Sequence, residues 1–244
     1  MDSLRNGVFV KTPSPHIIEI LAHSGLDFVI ADIEHAPLDI ATLDLFALAA
    51  QSTQLDLLAR VPNIEASTLS RVLDLGFSGV FLPHIETAEQ AKRAVSLCRY
   101  QTGARGYSSA PRSSGYGTLG TKEIIKKSQT LQIVCQIESP QGIENAYAIA
   151  ATEGVQAVFI GRADLALSMG HSNSSDPDVL AATSQAIQAV LAANKPVAIM
   201  VGTANAQATY QKKGVRIFIH GSDQSLLLRA AKKVVHQNTR CHNG

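Results

Sequence analysis

Eight short, almost uninterrupted apolar runs, each separated from the next by a stretch of helical character, constrain this 244-residue chain more than any other feature. They lie at Gly7 to Val10, Phe28 to Asp32, Asp56 to Arg60, Gly79 to Leu82, Ile133 to Ile137, Ala157 to Ile160, Val197 to Val201 and Arg216 to His220. Runs such as FVIAD, GVFL and IVCQI suit parallel strands covered on both faces, because a strand with one wet face alternates apolar and polar residues instead. Strands that alternate with helices form βαβ units, and eight of them predict an α/β chain closed into one (β/α)₈ TIM barrel over residues 1–244.

Local signals agree with that frame. Thr87 and Gln90 form a capping box at the start of a helix running to Cys98, Asp176 precedes a first-turn proline, and Gly76 and Gly214 sit where helices should end. The polar tail 236–244, HQNTRCHNG, is expected to fray. One connection, Tyr100 to Gly120, is long and rich in Gly, Ser and Arg; such loops are commonly functional, and this one is expected to bear on substrate choice.

Composition narrows the class of partner. A formal charge of +1 from 21 basic and 20 acidic residues, with no long run of either sign, offers no field for nucleic acid or a membrane surface. No segment approaches the roughly 18 apolar residues of a membrane span, and the N-terminus lacks a signal peptide's apolar core, so a cytoplasmic protein acting on a small molecule is expected. Cys98, Cys135 and Cys241 are far apart and form no CxxC pair, which suggests neither a disulfide framework nor a thiolate zinc site.

Barrels of this kind carry their chemistry at the C-terminal ends of the strands. There the second run leads into Asp32, Glu34 and His35, the third ends at Arg60, the fourth at Pro83-His84, the fifth at Glu138, and the sixth leads through GRADL to Asp164. Glu138 follows an apolar run and is expensive there unless it pairs with an arginine or binds a cation. Asp164 either caps a short helix or joins Glu138 at a metal. Two carboxylates, with the remaining positions left to water and substrate oxygens, suit Mg²⁺ or Mn²⁺. Asp32 lies close enough to orient the His35 imidazole as a general base, and Arg60 is either a buried ion-pair partner or a fixed cation for a developing oxyanion. His84 and His171 have no spacing that separates them from ordinary loop histidines, and no strand-end lysine is evident. Glycines after the last two strands, in VGT and HGSD, give only a weak sign of a phosphate site.

The motifs GLDFVIADIEHAPLD, ARVP, VLDLGFSGVFLPHIETAEQAKRAV, RYQTGARG, QIESPQGIENAYAIAATEGVQAVFIG, ADLALSMG and GSD, in that order over nearly the whole chain, resemble the HpcH/HpaI family of metal-dependent, class II pyruvate aldolases. The resemblance implies a phosphoenolpyruvate/pyruvate-binding type of barrel. It implies a divalent cation (Mg²⁺, Mn²⁺ or Co²⁺) on Glu138 and Asp164, a His35 and Asp32 dyad, and Arg60 on the keto acid. Gln136 would lie near bound pyruvate, and the backbone around Ala163 would receive its carboxylate. A homo-oligomer, commonly a hexamer with exchanged helices, is implied too. Arg162 stands where the family usually has proline, RYQTGARG lacks a prolyl turn, and the chain begins almost at the first strand.

The expected activity is reversible cleavage of a 4-hydroxy-2-oxo acid to pyruvate and an aldehyde through a metal-stabilised enolate. Alternatives on the same site are decarboxylation of an oxaloacetate-like acid and cleavage of a citramalyl- or malyl-type ester or thioester. A non-catalytic oligomer that binds a keto acid is the alternative from another class.

Overall fold

The computed structural model describes residues 3–240, with side chains through His236. Eight parallel strands, β1 (Arg5–Val10), β2 (Phe28–Asp32), β3 (Asp56–Arg60), β4 (Gly79–Leu82), β5 (Gln132–Ile137), β6 (Ala157–Ile160), β7 (Val197–Met200) and β8 (Ile217–Ser222), close into a barrel in sequence order. Helices α1 (Pro15–Ala22), α2 (Ile40–Thr53), α3 (Ala66–Asp74), α4 (Ala88–Cys98), α5 (Thr121–Gln129), α6 (Pro140–Glu144), α7 (Ala146–Ala151), α8 (Arg162–Ser168), α9 (Pro177–Ala192) and α10 (Ala204–Lys212) run between strands, and α11 (Asp223–Arg240) follows β8. Strands β2, β3, β4 and β6 coincide with the predicted runs, and the others differ by one or two residues at an end.

Side chains alternate along each strand, so every second residue of a barrel strand points inward. Phe9, Ile30, Leu58, Phe81, Val134, Phe159, Ala198 and Ile219 fill the interior, while residues such as Val8, Val29, Leu57, Val80 and Cys135 face the helices. Phe9, Phe81 and Phe159 meet edge to face, with ring centroids 5.8 to 6.5 Å apart. Each buried phenylalanine contributes about 1.5–3 kcal/mol from apolar area alone. Continued two to four residues towards the C-terminal ends, the same alternation reaches Lys11, Asp32, Arg60, Gln136 and Glu138 on β1, β2, β3 and β5, Pro83 on β4, Met200 and then Gly202 on β7, and Gly161 and Gly221 on β6 and β8. The inward-pointing charged groups therefore gather on the β1 to β5 side of the mouth, and inward glycines mark the β6 to β8 side.

The helix signals hold in detail. Thr87 Oγ1 accepts from Gln90 N–H while the Gln90 side chain accepts from Thr87 N–H, a complete capping box. Pro177 occupies the first turn of α9, but Asp176 makes no capping bond and its carboxylate instead lies 3.0 Å from His171 Nδ1. Gly76 and Gly214 take left-handed φ angles of 91° and 93°. Cys98 and Cys135 are free and packed in the core, and burial pushes both thiols up to about 12. Among the described residues, no helix is long and apolar enough to cross a membrane.

One expectation changes. The connection from Tyr100 to Gly120 follows a helix, so it lies at the N-terminal ends of the strands, away from the charged mouth of its own barrel. Arg105 Nη2 donates to Asp74 Oδ1 at the end of α3 (2.7 Å), and Arg112 Nη2 donates to Asp44 Oδ1 on α2 (2.6 Å). It is pinned on that face and does not shape its own barrel's mouth. Helix α11 continues to Arg240, and residues 241–244 of the tail expected to fray lie outside the described residues. On its packed side α11 meets β1 and β8, and it leaves Leu227, Leu228 and Val234 exposed.

Candidate active site

At the mouth, β2 and β3 run in register and set Asp32 beside Arg60. The guanidinium grips the carboxylate twice, and it lies over the Phe9 ring with 4.4 Å to the centroid. Lys11, the residue after β1, places its Nζ 2.9 Å from Asp32 Oδ2. A strand-end lysine thus exists, contrary to the sequence expectation; it lies one residue beyond the apolar run that marked the strand. Burial pushes the Asp32 carboxyl up, but Arg60 and Lys11 outweigh it and hold the group below the usual carboxylate range. Asp223, the acid of the GSD motif, accepts backbone N–H bonds from Lys11 (2.9 Å) and Thr12 (3.1 Å), which ties the start of α11 to the end of β1.

The dyad takes a different form from the one expected. Asp32 Oδ1 accepts from the His35 backbone N–H at 3.2 Å, because both other directions around the carboxylate are taken by cations. The His35 ring turns to Glu34, with Nε2 3.7 Å from Oε2, and its side chain is 54% exposed. Glu34 in turn touches Arg60 Nε at 3.3 Å and His84 Nε2 at 3.3 Å.

Glu138 is 5% exposed, and no arginine or lysine pairs with it among the described residues. Its Oε2 accepts from Gln136 Nε2, and its Oε1 accepts from the His84 backbone N–H at 2.9 Å. His84 Nδ1 also stands 2.9 Å from that oxygen. His84 has a left-handed φ of 55°, a costly conformation for a residue with a Cβ, and it aims both ring and N–H at one carboxylate. His84 is therefore part of the site, although nothing in its spacing separated it from a loop histidine; its position directly after Pro83 at a strand end was the available signal.

Asp164 lies in the first turn of α8, whose N-cap is Gly161, so it is not the cap. With Glu138, His84, Glu86 and Ser168 it lines a cavity of about 200 Å³. Burial lifts the Glu138 carboxyl above its usual range despite the bonds from Gln136 and His84, and the Asp164 charge adds to the lift. Two like charges, one of them buried and without an arginine or lysine partner, fit a divalent cation as the group that would neutralise them. Among the described residues no group of three or more His, Cys, Asp or Glu side chains is placed to hold a metal ion. A neighbouring cavity of about 240 Å³ is lined by Arg60, Gln136, Ala163 and Asp164, which brings the expected substrate-binding residues together.

Residues 5–230 match the model of the HpcH/HpaI aldolase/citrate lyase family. The chain is 35% identical over 230 residues to a 5-keto-4-deoxy-D-glucarate aldolase of Escherichia coli O6:H1 (strain CFT073), covering 93% of this chain and 90% of that protein. Among solved structures, a HpcH/HpaI aldolase/citrate lyase family protein from Burkholderia cenocepacia J2315 superposes with a TM-score of 0.93 at 31% identity, covering 98% of this chain and 95% of that one. Citrate Synthase SbnG gives a TM-score of 0.89 at 25% identity, covering 99% and 96%. On the family match over residues 5–230 and the 35% identity to the Escherichia coli aldolase, the chain belongs to the HpcH/HpaI aldolase/citrate lyase family.

Proposed function

We propose that this protein is a divalent-metal-dependent aldolase that reversibly cleaves a 4-hydroxy-2-oxo acid to pyruvate and an aldehyde. The observation that carries the reading is the buried Glu138 carboxylate facing Asp164 in a cavity with no arginine or lysine to balance them. Mg²⁺, Mn²⁺ or Co²⁺ would be held by these two acids, and when bound it supplies Lewis-acid polarisation of a keto oxygen. The aldolase name of the Escherichia coli relative supports the same class of reaction.

The protein's own groups divide the remaining work. Arg60, oriented by Asp32 and seated on Phe9, is a fixed cation where negative charge develops on the keto oxygen. Gln136 and the backbone around Ala163 line the same cavity and would orient the acid and receive its carboxylate. His35 is the proposed general base, taking a methyl proton in condensation and the 4-hydroxyl proton in cleavage, with Glu34 rather than Asp32 beside its ring. Lys11 is engaged by Asp32, so its place here is that of a second cation rather than a Schiff-base amine.

The test is exchange of the pyruvate methyl protons for deuterium, followed by NMR with each cation added. Exchange that stops with chelator and returns on adding metal supports the reading; pyruvate binding without exchange would favour a keto-acid sensor. Oxaloacetate and malyl-type esters assayed in parallel separate the decarboxylase and ester-lyase alternatives. A homo-oligomer is proposed as well, supported by the exposed Leu227, Leu228 and Val234 on α11. Light scattering should give a mass several times that of the 25.9 kDa chain.

A further inference from the structure

Lys11 is fixed at both ends. Its backbone N–H donates to Asp223 Oδ1 at the start of α11 (2.9 Å), and its Nζ stands 2.9 Å from Asp32 Oδ2. That same oxygen accepts from Arg60 Nη2 at 2.7 Å, so two cations share one carboxylate oxygen. Arg60 already grips both oxygens of Asp32, and two like charges brought to one atom repel each other. Pairing Asp32 is therefore not enough to account for the lysine.

The charges around Arg60 do account for it. Arg60 lines the cavity of about 240 Å³ and faces two carboxylates, Asp32 and Glu34. Glu34 Oε2 lies 3.3 Å from Arg60 Nε but has no hydrogen-bond partner, because that N–H is already given to Asp32. His35 and His84, the other groups on Glu34, carry no charge when neutral. One guanidinium against two carboxylates would leave an excess negative charge beside the place where an enolate oxygen must form. With Lys11 the two cations and the two carboxylates balance. The Asp32 side chain is fully buried and that of Arg60 nearly so, which limits screening by water.

We infer that Lys11 is a positioning residue for the enolate step: it cancels the Asp32 charge and so leaves the Arg60 charge available to the oxyanion on the keto oxygen. The inference rests on the aldolase reading and adds a residue to it. Lys11 lines neither cavity at the mouth, so it acts through Asp32 and Arg60 rather than on the substrate.

The experiment compares Lys11→Met, Lys11→Gln and Lys11→Arg with wild type, all loaded with Mn²⁺, at about pH 8, where imidazoles are neutral. Two quantities are measured: kcat and KM for pyruvate methyl exchange, and the calorimetric affinities for pyruvate and for oxalate, whose adjacent anionic oxygens mimic the enolate. Lys11→Met should lower exchange kcat about 10–100-fold, since the missing charge is felt where negative charge develops. KM for pyruvate should change by less than about threefold, because the keto acid has not yet gained that charge. The ratio of oxalate to pyruvate affinity, taken within each protein, should fall about tenfold in Lys11→Met and Lys11→Gln and stay near wild type in Lys11→Arg. That ratio does not depend on how much of a variant folds, so a purely structural lysine would lower Tm and leave it unmoved. Glutamine keeps a hydrogen bond to Asp32 without the charge; a wild-type ratio in Lys11→Gln, or a ratio in Lys11→Arg as low as in Lys11→Met, would overturn the inference. Wild type that exchanges no methyl protons rejects the aldolase reading, whereas exchange with an unchanged ratio in Lys11→Gln rejects the role of Lys11 alone.

Discussion

The Arg60 guanidinium holds Asp32 through Nε to Oδ1 at 3.0 Å and Nη2 to Oδ2 at 2.7 Å, with both side chains buried at the barrel mouth. Arg60→Met leaves the buried Asp32 charge matched by Lys11 alone, so it is expected to cost about 1–3 kcal/mol in urea unfolding. The double variant Arg60→Met, Asp32→Asn should recover part of that loss. Because the Asp32 carboxyl is held below its ordinary value, its contribution is fully present above the unfolded-state value near about 4 and is lost as pH falls through the lower folded value. The gap in Tm between wild type and Asp32→Asn should therefore narrow between pH 7 and pH 2; a gap that stays constant would refute the assignment.

Glu138 is buried beside a second acid and has no arginine or lysine partner. In chelator, Glu138→Gln is expected to melt higher than wild type, since the amide removes a buried charge of the same shape. Adding Mn²⁺ should reverse the order, raising the Tm of wild type and leaving the variant unmoved. Equal Mn²⁺ shifts in both proteins would place the cation elsewhere.

His84 presents its ring and its N–H to Glu138 from a left-handed backbone. Replacing it by alanine keeps the strain and loses the ring, whereas glycine loses the ring and relieves the strain. Glycine should therefore be the more stable variant by about 1–2 kcal/mol. Calorimetry should show both binding Mn²⁺ about 10–100-fold more weakly than wild type, as for the loss of a group that orients a ligand.

Asp223 joins two distant parts of the chain through its bonds to Lys11 and Thr12. Alanine at 223 leaves two N–H donors without acceptors and should destabilise the protein by about 1–3 kcal/mol per donor. Hydrogen exchange at Lys11 and Thr12 should rise more than exchange at β4 or β5.

Much of this molecule was legible in the sequence because a parallel barrel writes itself as continuous apolar runs, and Phe28–Asp32 or Ala157–Ile160 need no tertiary knowledge to place. Glu138 was legible for the same reason, as an acid immediately after such a run. What escaped depended on directions rather than positions. The spacing of Asp32 and His35 allowed a ring contact, but Lys11 and Arg60 had already claimed the carboxylate. His84 required a left-handed turn that no residue type announces. The position of the Tyr100–Gly120 segment was available from order alone: it follows the helix after β4, and the chain from there must return to the N-terminal end of β5.

The three glycines on the β6 to β8 side of the mouth are not equivalent. A Cβ at Gly161 would stand 2.9 Å from Glu138 Oε2, and Gly221 has a φ of 91° that any side chain would strain, whereas a Cβ at Gly202 meets nothing within 4 Å. Positions 161 and 221 are locked by the site and the backbone, and position 202 is free to vary. The volume offered to a substrate can thus be retuned at one residue without disturbing the acids opposite it, which makes Gly202 the place where a barrel of this design acquires a new preference at least cost to its chemistry.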